Sequence, residues 1–124
     1  EFAPRFGCPQ SNDLYTTSSS NKGNKALDYP IGLITLDEGM YAGGGLVREN
    51  NDYFLYTGAW YWTMSPIDFS EGIAHAGSIG SFGGIDNYGN VNIVGGVRPV
   101  INLSADVEII QGDGTSSEPY IITE

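Results

Sequence analysis

Glycine is the residue that most limits what this chain can build. It fills eighteen of 124 positions, about twice the usual share. Each glycine costs backbone entropy inside a helix or strand and suits a tight turn. With eight tyrosines, five phenylalanines and two tryptophans supplying bulk, the pattern predicts short strands, tight turns and an aromatic core. The 40% hydrophobic content is enough for one modest core, so residues 1–124 are expected to form a single domain.

Five basic against fifteen acidic side chains leave a net charge of -10. A field of that sign repels polyphosphates and anionic headgroups, which makes nucleic acid and membrane surfaces poor partners. No stretch approaches the roughly 20 apolar residues of a membrane span, and the first residues lack a basic-then-apolar signal pattern. The fragment is therefore expected to be soluble, with no direct membrane insertion and any export signal removed or upstream. Cys8 is the one cysteine; it excludes an internal disulfide and a cysteine metal cluster, and is expected as a half-buried thiol or one whose disulfide partner lies upstream.

Along the chain, the polar run from Thr16 to Lys25 predicts a surface loop. Ile31-Gly32-Leu33-Ile34 predicts a short strand. Thr35-Leu36-Asp37-Glu38 has the spacing of a capping box, so a short helix should start at Thr35 and end after Ala42 at Gly43-Gly44-Gly45. Tyr53–Tyr56 and Ala59–Met64 predict a hairpin around Thr57-Gly58, stopped by Pro66. Residues 67–90 predict a long exposed excursion with irregular strands, closed by a turn at Asn87-Tyr88-Gly89-Asn90. Val91 and Ile93 alternate with polar Asn92. Val97–Leu103 gives the strongest strand signal, limited by Pro99 to an edge or bulge, and Gln111–Thr115 turns the chain into a closing strand at Tyr120–Thr123.

Chemistry-bearing residues are sparse. His75 is the only histidine, and neither a G-x-S-x-G elbow nor H-x-x-x-H or C-x-x-C spacing accompanies it; a surface or strand role is expected, and catalysis is not. Asp37, Glu38, Asp52, Asp68, Glu71 and Asp86 could converge as a glycosidase pair does, but in so acidic a chain they read as solvated surface. No cofactor is expected. Calcium is the ion that the oxygen-rich loops at Asp86-Asn87 and Asp113-Gly114-Thr115 could hold, although neither has EF-hand spacing and turn formation explains both. Trp60 and Trp62 share one strand face, opposite Tyr61; they could form a sugar-stacking platform or, the favoured reading, part of the core.

Four motifs carry a resemblance: Ile31–Glu38 with Tyr41-Ala42-Gly43-Gly44; Tyr61-Trp62-Thr63-Met64-Ser65-Pro66; Gly96-Val97-Arg98-Pro99-Val100-Ile101-Asn102-Leu103; and Gly112-Asp113-Gly114-Thr115 with Pro119-Tyr120-Ile121-Ile122. In this order they resemble a group of uncharacterised bacterial envelope and phage domains with YW-x-x-SP and GVRP motifs, similar to the C-type-lectin-like branch that includes formylglycine-generating enzymes. The resemblance implies an α+β, mostly β, C-type-lectin-like domain with short antiparallel strands, one helix near 35–42 and long irregular loops. It also implies a place at the C-terminal end of a larger surface protein, extracellular on a cell surface or virion. Gly96-Val97-Arg98 would be a locking strand and residues 67–94 a display surface. The enzymes' paired active-site cysteines are absent, so their activity is not carried over.

The function expected is recognition or adhesion toward a surface protein or glycan; the alternative is a pilin-like filament head packing against copies of itself. Candidate ligand-binding residues are Phe69, His75, Phe82, Asp86, Asn87, Tyr88, Asn90 and Asn92, with Phe69 and Phe82 alternatively folding back as plugs of the core. Tyr88 is expected to be exposed because it lies in a turn. Arg98, set among apolar neighbours, should be paired with a carboxylate or several backbone carbonyls.

Overall fold

The structure, a computed structural model, describes residues 3–5, 7, 28–29, 31–46, 48–115 and 117–123. The expectations for Cys8 and for the run from Thr16 to Lys25 fall outside those residues. The described chain is mostly β, with seven short strands in antiparallel pairs and one short helix.

Strand β1 (Ile31–Leu33) leads into helix α1 (Leu36–Tyr41). The helix begins where the spacing predicts. Thr35 is the N-cap, its hydroxyl accepting from the Glu38 amide at 3.1 Å while the Glu38 carboxylate accepts from the Thr35 amide at 2.8 Å. Ala42 closes the helix, and Gly43 follows at φ 121°, a left-handed conformation that glycine adopts without strain. Among the described residues no helix is long and apolar enough to cross a membrane.

The central sheet has order β2-β3-β4, from β2 (Tyr61–Ser70), β3 (Ile73–Ile79) and β4 (Ile85–Asn90). Two expectations fail here. Residues 53–56 form a turn, not a strand: Leu55 is buried and its carbonyl accepts from the Tyr61 hydroxyl at 2.8 Å. Strand β2 also runs through Pro66 instead of stopping there. The ladder is irregular at that point: four steps from Trp62 to Pro66 oppose two from Ser78 to Ala76. A proline lacking an N–H is tolerated at such a bulge.

The expected exposed excursion is likewise mostly sheet, and it supplies the core. Ile79 is 0% exposed and Ile85 is 1% exposed; they pack with Leu36 and Tyr61, with Ile34, Met40, Tyr53 and Ile67 around them. Close approach depends on glycine: a Cβ on Gly39 would lie 2.8 Å from Ile79 Cδ1, and one on Gly77 would run into the Leu36 side chain. Dispersed single isoleucines in a polar, glycine-rich stretch thus mark short strands over a small core. Beneath the sheet, the Tyr53 hydroxyl donates to the Gly83 carbonyl at 2.7 Å, and burial first, then Tyr61, pushes that phenol's pKa up.

Among the described residues, strand β5 (Pro99–Ile101) pairs only with β1, in register Ile31 with Ile101. Pro99 therefore sits in an edge strand, as expected, but the strand is three residues long rather than seven. Gly96-Val97-Arg98 is no strand: Gly96 makes an isolated bridge to Tyr61 and accepts from the Trp62 amide at 2.9 Å, while Val97 is exposed. Arg98 is half-buried with its guanidinium over the Tyr61 ring, 5.5 Å from the centroid, and donates to the Leu55 carbonyl at 3.0 Å. Among the described residues its partners are one carbonyl, the Tyr61 hydroxyl at 3.5 Å and the Tyr61 ring face, where a carboxylate or several carbonyls were expected. Last, β6 (Ile109–Gln111) and β7 (Ile121–Ile122) form the closing hairpin.

Candidate functional site

Alternation along β3 assigns the faces of the central sheet, because the extra residues lie on its neighbours. On β4, three steps from Asp86 to Gly89 oppose two from Ala76 to Ser78, a bulge at Asn87 and Tyr88. Hence His75, Gly77 and Ile79 point to the helix side, and Ala74, Ala76 and Ser78 to the other. Residues opposite one another in register share a face.

The helix side ends, beyond the core, in a polar row of Asp68, His75 and Asn90, one from each strand. Asp68 Oδ1 and His75 Nδ1 are 2.5 Å apart; the His75 side chain is 11% exposed and that of Asp68 44%. The carboxylate fixes the ring's orientation and cross-links β2 to β3 next to their turn.

The opposite side carries an apolar surface. Phe69 opposes Ala74, whose carbonyl accepts from the Val91 amide at 3.1 Å; Pro66 opposes Ala76, which opposes Gly89. The floor is therefore small and the rim large: Phe69 is 73% exposed, with Val91 exposed just past the end of β4. Trp62 lies over Gly89, where a Cβ would come 2.5 Å from Cζ3 of the indole. Trp60 meets Trp62 edge-on, centroids 5.1 Å apart, and both rings crowd Gly95. These tryptophans are half-buried walls of this side, whereas the core residue of the run is Tyr61.

The turn joining β2 to β3 is a two-residue connection, Glu71-Gly72, with φ of 51° and 80°. Positive φ at both positions is the type I′ pattern that twists with the strands, so the tip holding Phe69 is preorganised.

The candidate residues do not form one cluster. His75 and Asn90 are cross-strand neighbours, joined by Asp68, while Phe69 lies on the other face of the same end. Phe82 is exposed in the β3–β4 connection at the far end, about 20 Å away for a seven-residue strand. Neither phenylalanine folds back as a core plug. Asp86 is exposed near that far end, opposite buried Ser78, and Asn92 is exposed in the loop after β4. Asn87-Tyr88-Gly89-Asn90 is strand with a bulge instead of the expected turn, and Val91 and Ile93 leave the ladder; the side chains of Asn87 and Tyr88 are outside the description.

Ala74, Ala76, Gly89 and Val91 were missed, and Asp68, read as solvated surface, is instead paired with His75. The alternation of alanines around His75 and the Glu71-Gly72 dipeptide between two runs were the available signals. Among the described residues no three His, Cys or carboxylate groups converge as a metal shell. Asp113 Oδ1 accepts from the Thr115 amide at 2.9 Å, which spends that carboxylate on its own turn. No family model, curated protein or solved structure matches the chain.

Proposed function

We propose that this domain is a non-catalytic recognition module of a bacterial or phage surface protein, acting outside the cell, and that it grips a surface protein or glycan with the β2–β3 end of its central sheet. The observation that carries the reading is the placement of Phe69. A phenylalanine 73% exposed, on a strand end held by the Asp68–His75 pair and a type I′ turn, exposes a large apolar ring to water without local benefit. A rigid aromatic anchor beside a floor of small residues is what binding surfaces use, because it buries much area for few rotatable bonds. The polar row one face away supplies orienting hydrogen-bond groups at the same edge.

The test is binding of the parent and a Phe69→Ser variant to a glycan array and to cell-surface protein extracts. The side chain is exposed, so the variant should keep the parent's melting temperature and lose about tenfold or more in affinity for whichever ligand the parent binds. A ligand held equally by both proteins would contradict the assignment.

A further inference from the structure

We propose that the closing hairpin β6–β7 is a second docking element, which takes a cationic, strand-forming segment of another protein by edge addition. Ile109, Ile110, Tyr120, Ile121 and Ile122 are all exposed, on a ribbon that has two strands and no third among the described residues. Such a ribbon is marginal alone, and its outer edges offer unpaired backbone groups. It is nonetheless preorganised. The Asp113 and Gly114 amides donate to the Glu118 carbonyl at 3.1 and 3.0 Å, and at the other end the Thr123 amide donates to the Glu108 carbonyl at 3.0 Å.

Charge selects the occupant. Residues 99–124 contain five carboxylates and no lysine or arginine. Glu108 stands at one end of the apolar stretch, Asp113 and Glu118 at the other, about 17 Å apart along an extended strand. A complementary segment carries lysine or arginine near both ends of four or five residues that include aliphatic side chains. Main-chain bonding gives it affinity, and the carboxylates fix register and favour a cationic partner. A second copy of this chain would bring the same carboxylates to the same place, so like charge disfavours self-pairing. This surface is separate from the β2–β3 end and does not depend on its role.

The experiment measures fluorescence anisotropy of a short labelled peptide with lysines near both ends and aliphatic residues at alternate positions between them. Its counterpart has glutamate for each lysine. The lysine peptide should bind the parent and weaken about tenfold between roughly 0.05 and 0.5 M salt. The glutamate peptide should not bind. Ile109→Thr with Ile122→Thr should remove binding, and Glu108→Gln with Glu118→Gln should weaken it and flatten its salt dependence; the second pair keeps the test valid if the first disturbs the hairpin. Absence of lysine-peptide binding, equal binding of both peptides, or full binding by the glutamine pair would overturn the proposal. So would a dimer, seen in sedimentation of the parent, that the isoleucine substitutions abolish.

Discussion

Arg98 illustrates how one residue's partners set the size of its effect. Its guanidinium lies over Tyr61 and donates to the Leu55 carbonyl, which also accepts from the Tyr61 hydroxyl. Removing it strands no buried carboxylate, and Leu55 keeps one donor. Arg98→Ala should therefore cost about 1–2 kcal/mol, the worth of a charged hydrogen bond and a cation–π contact, instead of the 3 or more that follows when a buried charge loses its partner. Urea denaturation measures this. Glu71 gives the opposite sign: at φ 51° it occupies a conformation that side chains other than glycine and asparagine resist. Glu71→Gly should raise stability by about 0.5–1 kcal/mol, despite glycine's entropy cost in the unfolded chain. A drop instead would mean that Glu71 makes a contact outweighing its strain.

At the scale of elements, legibility in the sequence follows from how local the determining interactions are. The α1 cap is contained within four residues, so Thr35-Leu36-Asp37-Glu38 announces it, and Thr35→Ala should cost about 1 kcal/mol in the same denaturation experiment. The Gly112–Thr115 turn is equally local. Hydrogen bonding from Thr115, its side chain first and its backbone amide second, holds the Asp113 carboxyl below the ordinary aspartate range. A carboxyl whose folded pKa is depressed contributes stability above its unfolded pKa and loses it as pH falls through the folded one. An NMR titration of the Thr115 amide should accordingly have its midpoint below 3.8; a midpoint at or above that value would show the bond absent in solution. By contrast, Pro66 inside β2, the strand made of Asn87–Asn90 and the loop conformation of Tyr53–Tyr56 depend on partners elsewhere in the chain. The bulges that admit Pro66 come from register with β3, and Leu55 turns inward because Tyr61 and Arg98 claim its carbonyl.

Over the whole chain, charge is unevenly spread: Arg98 is the only lysine or arginine after Arg48, against ten carboxylates, and it is engaged with Tyr61 and Leu55. The mostly β class and the short helix were readable from glycine spacing and the capping box. The candidate site was readable only in part. Phe69, His75 and Asn90 do meet at one end of the sheet, but Phe82 and Asp86 lie toward the other, because sequence proximity across a glycine-rich stretch hides the length of β3 between them. Recognition at the β2–β3 end can be checked by mapping amide shifts on the labelled protein as it is titrated with the ligand found by array or extract screening. The largest perturbations should fall at Phe69, Ala74, Ala76, Gly89 and Val91. Perturbations confined to the α1 helix, or to the Phe82 end of the sheet, would contradict it.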